Sequence, residues 1–132
     1  VMLLDETLPL GLLANTAAIM GITLGRQMPE VVGADIADQT GKTHLGIITF
    51  PVPVLRGNAQ SIRAIREKLY TAEFSDLTAV DFSDLAQGCK GYDEFIRKMA
   101  DTPEQALSYL GIAICGSKKK VNQLTGSMPL LR

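Results

Sequence analysis

Thr7-Leu-Pro-Leu-Gly-Leu-Leu-Ala-Asn-Thr-Ala-Ala-Ile-Met-Gly-Ile-Thr-Leu-Gly25 is an uncharged stretch that follows directly on Val1-Met-Leu-Leu4 and the acidic pair Asp5, Glu6. Read at helical spacing, Leu10, Leu13, Ala14, Ala17, Ala18, Gly21 and Leu24 form one apolar face. Leu12, Ile19 and Ile22 make much of the remaining surface apolar too. Such a helix needs cover on more than one side. A short buried strand, a turn with Pro and Gly, and a buried helix full of small residues predict an α/β domain whose first helix packs closely on a sheet.

Outward from that stretch, the 132 residues suit one domain with a single core. Thirteen basic and fourteen acidic residues leave a net charge of −1, so no global field favours nucleic acid or an anionic membrane. Cys89 and Cys115 are too few for a disulfide framework and lack zinc-ligand spacing, which fits a reducing cytoplasm. The uncharged stretch follows two acids instead of a basic segment, and Pro9, Gly11, Asn15, Thr16 and Gly21 weaken it as a membrane span.

Val1 to Leu4 reads as a buried strand and the first helix as running to about Leu24, with Gly25 as its stop and Pro29 beyond. Asp38-Gln-Thr-Gly41 is a turn signal inside a hairpin-like excursion, Glu30 to Gly46. Ile47 to Leu55 is β-rich, but Pro51 and Pro53 suggest an edge strand or one facing a cleft. Asn58 predicts the N-cap of an amphipathic helix to about Ala72, with Ile62, Ile65 and Leu69 inward. A strand over Leu77 to Phe82, a break at Gly88 to Gly91, and a helix over Tyr92 to Ala100 follow. Thr102-Pro-Glu-Gln105 has the form of a capping box opening a further short helix. Leu110 to Cys115 reads as a central strand, Lys118 to Lys120 as a turn, and Met128 to Leu131 as a closing strand after Thr125-Gly126.

Gly111-Ile-Ala-Ile-Cys-Gly-Ser-Lys118 and Val121-Asn-Gln-Leu-Thr-Gly-Ser-Met-Pro-Leu-Leu-Arg132 resemble the C-terminal signature of the bacterial domain-of-unknown-function-2000 family. Leu8-Pro-Leu-Gly-Leu-Leu-Ala-Asn15 and His44-Leu-Gly-Ile-Ile-Thr-Phe-Pro-Val-Pro-Val-Leu55 carry the same resemblance, so it spans nearly the whole chain. It implies a fold similar to type II peptidyl-tRNA hydrolase, a mixed four-stranded sheet flanked by helices, and brings no activity with it. The likeness to the hydrolase is selective. Leu12 stands where its lysine would, Thr16 where its Gln would, and Ile19 where its His would. Its Asp-Ala-Gly segment and Pro-Gly-Thr turn are replaced by Asp101 to Leu110. Fold likeness therefore outruns functional likeness.

Asn15 and Thr16 form a polar pair in the apolar helix and read two ways. They face a cleft near the helix N-terminus that favours an anionic or carbonyl-bearing ligand, or they are satisfied inside the fold, Thr16 by bonding back along its own helix. His44, the only histidine, is the one candidate for acid-base chemistry, five residues before Thr49; the plainer reading is an exposed hairpin histidine. Cys89 has Lys90 beside it, which lowers a thiol pKa, but no base is placed for it, and Cys115 reads as core. Lys118 to Lys120 suit either a phosphate or a solvated turn. Neither phosphate-loop nor dinucleotide spacing occurs, nor a nucleophile elbow, so no cofactor and no metal are expected.

These readings converge on one domain, residues 1–132, a cytoplasmic protein without the hydrolase's catalytic set. It is expected to bind a small ligand or protein partner between the first helix and the Ile47 to Leu55 strand. The candidate ligand-binding residues are Asn15, Thr16, His44, Thr49 and Lys118. The competing readings are a hydrolase acting on peptidyl-tRNA or a related ester, and a homodimer whose apolar first helix is covered by its twin.

Overall fold

The apolar run at the start of the chain is strand β1 (Met2–Asp5), buried at all four positions. In the computed structural model, which describes residues 1–132, β1 lies inside a mixed four-stranded sheet of order β4-β1-β6-β5. It runs parallel to β4 (Val54–Gly57), with Leu3 opposite Leu55, and antiparallel to β6 (Tyr109–Cys115), with Leu3 opposite Ile112. The outer strand β5 (Thr78–Ser83) pairs antiparallel with β6. Helix α1 (Leu10–Gln27) and a small hairpin, β2 (Ile36–Ala37) with β3 (Thr43–His44), connect the two parallel strands.

Because successive strand side chains point to opposite faces, the sheet has two cores. Leu3, Ile112 and Ile114 face α2 (Ala59–Leu69), where they pack with Ile62, Ile65, Leu69 and Tyr109; α5 (Lys118–Thr125) adds Leu124 on the same side. Met2, Leu4, Phe82 and Ala113 face α1 and pack with Met20. A short α3 (Asp84–Gly88) and α4 (Tyr92–Ala100) follow β5. No helix is long and apolar enough to cross a membrane.

Several elements depart from the sequence reading. The buried centre of α1 is Thr16 and Met20, and Leu10, Ala14 and Ala18 from the expected inner face are exposed. A helix apolar all round gives the period no polar side by which to orient it. Gly25 does not stop α1. The ladder continues to a bond from Met28 N–H to the Leu24 carbonyl (2.9 Å), and Pro29 ends it. Helix α2 ends at Leu69 instead of near Ala72. The capping box at Thr102 does not form, because its hydroxyl donates back to the Lys98 carbonyl (2.6 Å), leaving a single 3₁₀ turn at Glu104–Ala106. Lys118 to Lys120 open a helix instead of a turn. The closing strand reduces to one bridge, Leu55 with Leu130, flanked by Arg56 N–H to the Pro129 carbonyl and Leu131 N–H to the Val54 carbonyl. Pro129 has no N–H to extend that ladder. The β-rich segment splits likewise, since only Val54 onward joins the sheet, at its edge.

Candidate functional site

After α1 the chain makes a ribbon in one continuous register. Val32 bridges Ile48, Ile36 pairs with His44, and Ala37 with Thr43. Gly33 N–H donates to the Ile47 carbonyl and Thr49 N–H to the Val31 carbonyl, both at 2.9 Å. The two arms approach so closely that a Cβ on Gly46 would lie 1.8 Å from the Gly33 carbonyl oxygen, so only glycine fits there. At the tip, the Asp38 carboxylate accepts from the Thr40 hydroxyl (2.6 Å), from Thr40 and Lys42 N–H, and faces the His44 ring at 3.1 Å. The Thr40 hydroxyl first, then the His44 ring, holds this carboxyl down to about 2.

The base of the ribbon stands off α1 and leaves a cavity of about 210 Å³. Gly21, Leu24 and Gly25 form one wall, Val32, Ile48, Phe50 and Val52 the other, and Met2 and Cys115 the floor. The lining is almost wholly apolar. A Cβ at Gly25 would meet nothing within 4 Å, and one at Gly21 only the Met2 Cε at 3.6 Å. These two glycines, one helical turn apart, are therefore not required by close packing. Each destabilises a helix interior by about 1 kcal/mol relative to Ala, and what they leave is room. The chemistry on offer is desolvation of an apolar group, with no charged side chain in the wall.

A larger groove of about 430 Å³ runs between α1, β5 and α4, past Ile19, Phe82, Tyr92 and Phe95. Cys89 lies in it, and its thiol donates to the Leu85 carbonyl (3.2 Å) instead of facing a base. The sequence signal for a reactive thiol, Lys90 beside it, is not joined by a histidine, since His44 is on the ribbon.

None of the five sequence-predicted ligand residues lines either cavity. Asn15 is exposed near the start of α1, where its amide donates to the Gln87 side chain (3.2 Å). Thr16 is wholly buried. Its methyl packs against Gly111, where a Cβ would come within 2.7 Å, and its hydroxyl has no partner, so the expected bond back along the helix is not made. His44 is held at the ribbon tip, and the Thr49 hydroxyl donates to the Val31 carbonyl (3.1 Å). Lys118 opens α5 on the opposite side of the sheet from α1, solvent-exposed. The structure thus disperses these residues over three elements, while the cavity between α1 and Ile48–Val52 lies at the other end of the helix from Asn15. Gly21 and Gly25 were legible as an i, i+4 pair in an apolar helix, but Gly25 reads first as a helix stop.

The whole chain, residues 1–132, matches the family described as a protein of unknown function, DUF2000. The chain belongs to that family. Among solved structures, this DUF2000 chain is similar to the protein of unknown function Atu0240 from Agrobacterium tumefaciens strain C58, with a TM-score of 0.88 at 16% identity, covering 99% of this chain and 95% of that one. At that identity the likeness shows the fold alone. No curated protein matches the DUF2000 chain.

Proposed function

We propose that this DUF2000 protein is a cytoplasmic binding protein that takes a small apolar molecule in the cavity between α1 and the ribbon, on a fold akin to type II peptidyl-tRNA hydrolase but without that enzyme's catalytic set. The carrying observation is the pair Gly21 and Gly25, which opens a wall that alanine would occupy without a clash. At about 210 Å³ the cavity exceeds the roughly 150 Å³ of apolar space that accepts benzene. It suits a monocyclic or short branched hydrocarbon group.

The positions matched to the hydrolase's polar residues support the non-catalytic reading. Leu12 and Ile19 are half-buried and apolar, and Thr16 is sealed against the sheet. Such groups offer no oriented donors to an attacking water or a developing oxyanion. Purified protein should therefore release no peptide from peptidyl-tRNA at a hydrolase-like rate, and release at such a rate would overturn this half of the proposal.

The binding half is tested by two-dimensional NMR titration with benzene, toluene and indole. Shifts should be confined to residues around Gly21, Gly25, Val32 and Ile48. Gly25→Leu should abolish them while leaving the fold intact, since leucine is a better helix former than glycine. Absence of shifts in the wild type, or unchanged binding in Gly25→Leu, would contradict it.

A further inference from the structure

We propose that the outward face of α1 is covered by the same face of a second copy of this chain. A surface helix ordinarily turns charged and polar residues to solvent. The outward positions of α1 are Leu10, Gly11, Ala14, Asn15, Ala18 and Ile22, all exposed, and the first charge in the helix is Arg26. By contrast, the exposed residues of α4 include Asp93, Arg97 and Lys98.

The pattern identifies the occupant. Leu10, Ala14, Ala18 and Ile22 follow one another at intervals of four, so they make a single ridge. A two-fold axis between Ala14 and Ala18 sets Ala14 of one copy opposite Ala18 of the other and Leu10 opposite Ile22. The row is thus complementary to itself, as an isologous interface requires. Rows of this kind lie along one another when helices cross near −50°, the commonest packing class, and alanines at the crossing let the axes approach to about 8 Å.

The area is sufficient. Leu10 is 82% and Ile22 75% exposed, and with the small residues between them the ridge presents on the order of 400 Å² of apolar surface. An interface at the lower end of stable sizes takes about 600 Å² from each partner, of which about 65% is apolar in homodimers. The Asn15 to Gln87 bond supplies a polar rim beside the ridge.

The test is light scattering and sedimentation of the intact chain at micromolar concentration, with two exposed-site variants. The wild type should have twice its 14.2 kDa chain mass. Ala18→Glu, which sets two carboxylates near the axis, should be monomeric with an unchanged helical circular dichroism spectrum. Ile47→Glu alters an equally bare residue, 79% exposed on the ribbon, and should remain dimeric. A monomeric wild type, a dimer that survives Ala18→Glu, or one lost in Ile47→Glu would overturn the proposal. Ligand binding at Gly25 is read separately and does not enter this result.

Discussion

Helices α1 and α2 flank the same sheet on opposite faces and were built by different rules. In α2, Asn58 accepts from Ser61 N–H at 2.9 Å while the Ser61 hydroxyl accepts from Asn58 N–H at 2.9 Å, a complete capping box. Ile62, Ile65 and Leu69 are buried, and the Arg63 guanidinium holds Glu104 at 3.1 Å across to the 3₁₀ turn. The rest of α2 is a polar outer side, with Gln60, Glu67 and Lys68 exposed. Helix α1 starts after Pro9 with no side-chain cap, buries an unpartnered hydroxyl, carries two glycines beside a cavity, and turns an uncharged ridge outward. Each of these is locally unfavourable or idle for stability; the hydroxyl lies on the sheet side and the glycines on the cavity side, and the bare ridge alone has the pattern expected where a surface is kept for contact.

That contrast is breakable, and most severely in α2. Ile62→Ala should lower stability by about 3 to 4 kcal/mol in urea unfolding, because a wholly buried side chain leaves a cavity between α2 and the sheet. A loss below about 1 kcal/mol would deny α2 its role. In α1 the opposite sign is expected. Thr16→Val should raise stability by about 1 to 2 kcal/mol, since it removes a buried hydroxyl without a partner while keeping its shape. A loss would mean that the hydroxyl is satisfied. Asn58→Ala should lose about 1 kcal/mol as the capping box opens. The smallest change is Gly25→Ala, a gain of about 0.5 to 1 kcal/mol in the same assay, because open space surrounds the new methyl.

The same contrast explains what was legible. For α2, the cap, the period and the charged outer side agree, so the element and its buried face could both be read from residues 58 to 69. The strands at Met2–Asp5 and Tyr109–Cys115 were readable from the apolar runs Val1 to Leu4 and Leu110 to Cys115, Thr78–Ser83 from the partial alternation over Leu77 to Phe82, and Asp38 to Gly41 as the turn of a hairpin. Their pairing was not, because register between β1 and β6 joins residues more than a hundred positions apart, and the mixed sheet was expected only from family resemblance. In α1 the helix was evident and its orientation was not. Helix α5 was hidden by three lysines at its start, where the helix dipole disfavours them. It is held instead by Leu124 in the core and by Lys120, whose ammonium meets Asp76 at 2.6 Å and lowers that carboxyl's pKa chiefly through this hydrogen bond. The candidate site was legible only as a place. Its neighbourhood, between the first helix and the segment after Ile47, could be inferred from Pro51 and Pro53, whereas of the polar candidates His44 serves the turn, Thr49 the ribbon, Thr16 the helix–sheet contact and Asn15 a bond to Gln87, and Lys118 is exposed to solvent.

Whether α1 keeps its outward face for a second copy is tested most directly by thermal unfolding of the wild type over about a hundredfold range of protein concentration. Association that stabilises only the folded chain raises Tm with concentration, and for a domain of this size the rise should be several °C. Ala18→Glu should abolish that dependence. A wild-type Tm that stays constant across the range would contradict it, and the uncharged ridge of Leu10, Ala14, Ala18 and Ile22 would then be a solvent-facing surface.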